Sequence, residues 1–228
     1  MTEENKHINT FTLLLSAVAG FCDTSTFVSG DSIFSAHVTG NFIVFAAQLI
    51  VGKEENAWIK LLTFPIFIIV VMTGGWIAKR SGNKYRVLLI ESMLLLLCGA
   101  IALVNSTLSR PNAGPTVYCM VMIVVAAMGL QNAFGKLYAK ETHGPTTMMT
   151  GNVTQAALDL GSLIGRSAGT EQKLNLRKQL YLIGGFLLGC LMGAVISKFV
   201  GLISIAVPAV TMMIYYRTAQ QNHPAGNK

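Results

Sequence analysis

The chain has 228 residues, of which 52% are hydrophobic and only 12% charged, about half the charged share of an ordinary soluble domain. With a mean hydropathy of +0.55, it has too few charges to cover a water-facing surface, and a soluble domain is excluded. The formal net charge of +7 does not mark a nucleic-acid binder. The Lys and Arg fall in loops between apolar segments, where positive-inside sorting places them.

In chain order the apolar segments run over 11–29, 33–52, 59–79, 87–105, 115–135, 146–165, 179–197 and 199–216. Most are close to the ~20 residues that span a hydrocarbon core. Polar or Gly/Pro breaks divide them at Gly30-Asp31, Gly52 to Glu55, Ser81 to Lys84, Ser109 to Pro115, Gly144-Pro145 and Arg166 to Lys178. Phe11 to Leu15, followed by Ala17-Val18-Ala19, resembles a signal peptide with its cleavage site, but Glu3 and Glu4 against Lys6 deny it a positive leader. It is therefore read as the first membrane helix. Residues 217–228 read as a polar, disordered cytoplasmic tail. Cys22, Cys98, Cys119 and Cys190 all lie in apolar segments, with no CxxC and no clustered His. They read as reduced, buried small hydrophobes, with no disulfide, metal or cofactor expected.

The chain repeats itself. Residues 38–41 read VTGN and residues 149–152 read MTGN; upstream, Gly20-Phe21-Cys22-Asp23 matches Gly129-Leu130-Gln131-Asn132. Seven positions after each TGN asparagine stands a polar residue in an apolar run, Gln48 in one copy and Asp159 in the other. Three landmarks in one order, at offsets of 109 to 111, divide the chain into repeats over 1–112 and 113–216.

Each TGN segment is polar or helix-breaking in its first half and apolar only in its second. The apolar half covers about 20 Å at the helical rise, too short to span alone. This predicts an irregular stretch entering the membrane, then a half-helix starting near TGN, which is tolerated at depth only inside protein or beside a watery cavity. If both segments re-enter, six crossings remain. One side then collects thirteen Lys and Arg (Lys6, Lys79, Arg80, Lys84, Arg86, Lys136, Lys140, Arg166, Lys173, Arg177, Lys178, Arg217, Lys228), against Lys53, Lys60, Arg110 and Lys198 on the other. Full crossing by both segments gives ten against seven, and a seven-crossing arrangement gives twelve against five. The positive-inside rule favours six crossings with both termini cytoplasmic. Three crossings per repeat is odd, so the second repeat enters upside down, as in many transporters. The expected fold is an all-α polytopic membrane protein. It has two inverted three-crossing repeats, giving six full transmembrane helices, each repeat with a broken or re-entrant TGN half-helix.

The set GFCD, HVTGN, MGLQNA and MMTGN, over roughly residues 11–216, resembles the YoaK-like family of small bacterial inner-membrane proteins. The resemblance implies a multi-pass protein of the bacterial plasma membrane and supplies no substrate. Its motif positions here are Asp23, Thr39, Gly40, Asn41, Gln131, Asn132, Thr150, Gly151 and Asn152.

A half-helix starting at depth offers unpaired N–H groups and the positive end of its dipole. Glycine allows close approach, and Thr and Asn add hydroxyl and amide partners. Thr39, Gly40, Asn41, Gln131, Asn132, Thr150, Gly151 and Asn152 are therefore candidates for binding a small polar or anionic solute. The competing reading has the threonines cap helices and the asparagines satisfy broken backbone. Asp23 and Asp159 are candidates for ion coupling, because a charge at mid-membrane needs a cavity or a partner. His37 reads as hydrogen-bonded, and Glu91 as an ion pair with Arg86 and Arg80. Gly74, Ala78 and Gly82, and Gly185, Gly189 and Gly193, repeat at four-residue spacing and read as helix-packing faces. They either join the halves or make a homodimer, and the sequence leaves both open. The methionines read as adaptable filler.

The leading function is a transporter or channel whose site lies between the TGN half-helices, with the bilayer and a small solute as partners. A non-transporting assembly partner or sensor is the alternative. A membrane-embedded enzyme is disfavoured: no HExxH, GxSxG or Gly-rich phosphate loop occurs, and no catalytic residue is assigned.

Overall fold

The structure is a computed structural model that describes residues 3–52, 56–108, 114–165 and 169–222. Lys53, Arg110, Arg166 and Lys228, counted among the loop charges, lie outside the described residues. The described residues form eight α-helices and one 3-10 turn, with no strand. The helices are α1 (Glu3–Ser29), α2 (Gly40–Val51), α3 (Ile59–Arg80), α4 (Arg86–Thr107), α5 (Pro115–Leu137), α6 (Met149–Ile164), α7 (Thr170–Val200) and, after the turn Gly201–Ile205, α8 (Ala206–Asn222).

Five stretches are long and apolar enough to cross a membrane: Asn5–Ser29, Ile59–Arg80, Arg86–Thr107, Pro115–Leu137 and Thr170–Thr218. The last covers 49 residues and is two legs, not one. Gly201 takes φ 62°, which a side chain would resist, and α8 turns back along the bundle. Gly99 of α4 lies against Ala206, while Tyr215, far along α8, stacks on Phe11, whose edge also meets Tyr85 at the head of α4. So α4 and α8 run antiparallel. α7 starts earlier than expected, with Thr170 to Lys178 as its polar opening turns, and α8 continues through Arg217 to Asn222.

α2 and α6 have 12 and 16 residues, about 18 and 24 Å of helix, short of the ~30 Å hydrocarbon core. Each starts at its TGN motif. α1 and α5 are the interior pair, with two thirds of their apolar windows buried, whereas α3 is only 11% buried. Outward faces carry Ile43, Ile50, Ile69, Met72 and Phe199, all well exposed. Side chains of this kind turned outward suit lipid.

α1 and α7 run parallel with their backbones in contact. An added Cβ at Gly185, Gly189 or Gly193 would meet the carbonyls of Leu13, Ala17 and Phe21 respectively, and one at Gly20 would meet that of Phe186. These glycines join the two ends of the chain within one molecule. α3 and α5 also run parallel: Gly129 faces Phe67 and Val70, and Gly74 faces Leu130 and Ala133. Ala78 packs on the core, but nothing lies within 4 Å of a Cβ at Gly82, so that stripe ends at Ala78. α1 and α5 are antiparallel, with Gln131 bonded to Leu15 and Val121 against Gly30.

Both ends of the chain therefore reach the same end of the bundle, where His7, Phe11, Tyr85, Phe134 and Tyr215 cluster. At the opposite end Asp31 and Ser32 turn the chain with positive φ, 61° and 54°. Asp31 Oδ2 pairs with the fully buried Lys60 Nζ at 2.8 Å and accepts from Tyr118 Oη at 3.1 Å. Asp31→Ala leaves the buried ammonium without this carboxylate. Partial exposure of Asp31 reduces the penalty, and the expected loss is about 2 kcal/mol, read as a lower melting temperature in detergent.

Candidate functional site

The irregular stretches 30–39 and 138–148 precede the two half-helices, and side chains from the neighbouring helices hold their backbones. Asn41, fully buried, accepts from Phe34 N–H at 2.8 Å through Oδ1. Its Nδ2 donates to Phe34 O at 2.8 Å and to Thr63 Oγ1 at 3.0 Å. Asn152 makes the same seven-residue reach, Nδ2 donating to Pro145 O at 3.0 Å. Proline has no N–H, so the second copy has one donor fewer to satisfy. Gln131 Nε2 donates to Leu15 O at 2.7 Å and to Thr146 Oγ1 at 2.9 Å. Asp23 Oδ1 accepts from the Ala36 and His37 amides at 2.7 and 3.3 Å, and its Oδ2 lies 2.7 Å from His37 Nδ1. Asn41, Asn152 and Asp23 hold loop backbone where broken backbone would otherwise be costly, and Gln131 ties the Thr146 side chain to α1.

Between the two copies lies a cavity of about 370 Å³, lined by Ala36, His37, Val38, Thr39 and Phe67 on one side and Asn132, Thr147, Met148, Met149, Thr150 and Gly151 on the other. A second cavity, about 460 Å³, is lined by Asp23, Thr24, Phe34, His37, Gly40, Ile43, Val44, Phe186 and Cys190. Only His37 belongs to both.

The half-helices are not equivalent at the first cavity. The amides of Gly40, Asn41 and Phe42 donate to the carbonyls of His37, Val38 and Thr39 at 2.8, 3.2 and 3.2 Å. The loop saturates the start of α2. At α6, among the described residues, no hydrogen bond takes up the amides of Met149, Thr150 and Gly151, and no side chain caps the helix. Thr147 is 2% exposed and its Oγ1 has no partner. The Asn132 side chain likewise makes no hydrogen bond among the described residues. A Cβ at Gly151 would meet nothing within 4 Å, whereas one at Gly40 would press on the Phe34 ring at 3.1 Å. Gly40 serves packing, and Gly151 leaves space.

Of the expected site residues, Thr39, Asn132, Thr150 and Gly151 line the first cavity, Gly40 and Asp23 the second, and Asn41, Asn152 and Gln131 hold backbone. Asp159, buried on α6, accepts from Gln155 Nε2 at 3.2 Å through Oδ1 and leaves Oδ2 without a partner. It lines neither of these cavities. Its counterpart Gln48 also has a buried, unpartnered Oε1. The ion pair expected of Glu91 is not formed: the carboxyl is fully buried and neither oxygen has a partner. Sequence reasoning missed Thr147 as a site residue, its only signal being its place in the polar half of the TGN segment. In the loop before α6, burial pushes the His143 imidazole below its ordinary value, and Lys178 and Arg177 push the same way. No group of His, Cys, Asp and Glu among the described residues is set to hold a metal ion.

A helical membrane protein with two short helices starting beside an open cavity between the two copies is the class these features define. The chain belongs to the family described as "Protein of unknown function (DUF1275)", which matches residues 11–216. No curated protein and no solved structure matches it.

Proposed function

We propose that the protein is a transporter or channel for a small anionic or polar solute, bound in the cavity at the start of α6. One observation carries this reading. Met149, Thr150, Gly151 and Asn132 line one cavity with amide groups that have no protein partner, and the Thr147 hydroxyl, also unpartnered, is buried just behind them. Unpaired N–H groups at the positive end of a helix dipole favour an anion. Buried polar groups are normally satisfied, so a set of free donors on a cavity wall invites a ligand.

Six legs in two inverted repeats fit the parallel pairs α1–α7 and α3–α5, which exchange under such a relation, and the matching reach of Asn41 and Asn152. On this reading, with YoaK-like relatives as the guide, the protein sits in a bacterial plasma membrane and works without enzymatic chemistry. Among described residues, Lys6, Lys79, Arg80, Lys84, Arg86, Lys136, Lys140, Lys173, Arg177, Lys178 and Arg217 fall at the end where α1 begins and α8 finishes, a distribution that supports a cytoplasmic reading of that end.

The test is uptake of radiolabelled pyruvate, inorganic phosphate and nitrate by proteoliposomes. Wild type is expected to take up at least one of them, and Asn132→Leu, which breaks no bond within the protein, to slow that uptake about tenfold, the loss of one good polar contact. Equal uptake by a folded Asn132→Leu variant would remove the site. Uptake of none, with a stoichiometric partner co-purifying, would favour an assembly role.

A further inference from the structure

His37 stands in the wall between the two cavities, and its hydrogen bonding fixes which atom can take a proton. Nδ1 lies 2.7 Å from Asp23 Oδ2, so a neutral ring donates there through Nδ1–H and keeps its lone pair on Nε2. Nε2 has no hydrogen-bond partner among the described residues. The Phe186 ring meets the imidazole edge-on at 5.3 Å and limits its rotation. Asp23 accepts from two amides and the ring together, the arrangement of an ionised carboxylate.

The consequence concerns charge. With a neutral ring, the Asp23–His37 pair presents one negative charge beside the cavity and opposes an entering anion. A proton on Nε2 makes the pair neutral and adds a donor. Other titratable groups nearby are Cys22 on α1 and Cys190 on α7, both thiols, with the buried Glu91 and Cys98 of α4 beyond Cys22. The wall residues contributed by α2, α3, α5, α6 and the loop before α6 include no titratable side chain. The repeat gives Asn132 in place of Asp23 and Met148 in place of His37, so this pair has no titratable counterpart in the second copy.

The lining also bears on the solute. Free donors gather at the α6 start, while Phe67, Val38, Met148 and Met149 supply an apolar wall. That combination fits a charged head on a small apolar body. Resting on the solute-site reading above, we infer that His37, held by Asp23, is a proton-binding site of the cavity, and that the solute is a small carboxylate bound together with one proton.

The experiment uses the full-length protein in nanodiscs, with pyruvate as a carboxylate that stays ionised across the range used. In weakly buffered solution, pyruvate binding is expected to take up one proton per protein. Affinity is expected to be about tenfold higher at pH 5.5 than at pH 8, a modest effect for one charge at close range. His37→Gln should show no proton uptake and less than about twofold pH dependence. Asp23→Asn provides the second variant: its Oδ1 still accepts from the Ala36 and His37 amides, while its NH2 group faces Nδ1 as a donor and pins the ring neutral. It too should take up no proton. Pyruvate binding by wild type without proton uptake, or uptake that persists in both variants, overturns the inference and leaves the cavity as a solute site. Failure of wild type to bind pyruvate at either pH overturns the carboxylate assignment, and uptake of phosphate or nitrate then decides whether the solute site survives.

Discussion

Gly189→Leu is expected to abolish the folded protein. α1 and α7 touch backbone to backbone, and even a Cβ at Gly189 would lie on the Ala17 carbonyl, with Gly185 and Gly193 held the same way one turn to each side. Membrane helices have no hydrophobic drive to associate and depend on such close packing. Gly189→Ala is expected to cost about 3 kcal/mol, the upper part of the range for overpacking, and leucine to prevent α7 from docking. The readout is monodisperse elution and the melting temperature in detergent. Gly184 is the control, since nothing lies within 4 Å of a Cβ there and Gly184→Leu should leave both measurements near wild type. Normal folding of Gly189→Leu would mean that α1 and α7 do not meet as described.

Asn41→Ala is expected to lower stability by about 3 kcal/mol, and Asn152→Ala by about 1 kcal/mol. The asymmetry comes from two partners that only Asn41 has, the Phe34 N–H and the Thr63 hydroxyl. Removing Asn41 strands the Phe34 N–H and C=O and takes one donor from Thr63 Oγ1, which keeps its own bond to Lys60 O. Removing Asn152 strands the Pro145 carbonyl and loses a weak contact to Met149 Sδ, with no amide to lose because Pro145 has no N–H. Loss of transport in Asn41→Ala would therefore report a collapsed loop, not a missing ligand contact. Asn41→Asp separates the two roles: it retains an acceptor for Phe34 N–H but loses both donations. Thermal unfolding of the three variants side by side is the check, and equal losses for Asn41→Ala and Asn152→Ala would contradict the role assigned to Phe34.

Much of this was legible in the residues. The TGN repeats marked where two short helices begin, and Gly185, Gly189 and Gly193 marked a packing face, because both signals are local and depend on residue type alone. The fold-back at Gly201 was only partly legible. The run divides in sequence into 179–197 and 199–216, but the 3-10 turn and the positive φ at Gly201 that reverse the chain there carry no hydropathy signal. The asymmetry between α2 and α6 was not legible at all. Whether a helix's first amides are free depends on the path of the preceding loop, which saturates them at Gly40 and leaves them open at Met149. The same limit applies to Glu91. Its nearness in sequence to Arg86 suggested an ion pair, but the side chain turns inward to full burial, and which face of a uniformly apolar helix points inward is a tertiary outcome.

Gly151→Leu asks whether a solute occupies the space at the start of α6. The glycine lines the cavity, its Cβ position is open, and leucine favours the helix by up to about 1 kcal/mol over glycine. The account predicts a melting temperature at or above wild type and anion uptake by proteoliposomes reduced at least about tenfold, since the side chain would occupy the space at the α6 amides. A folded Gly151→Leu protein that transports at the wild-type rate would contradict it.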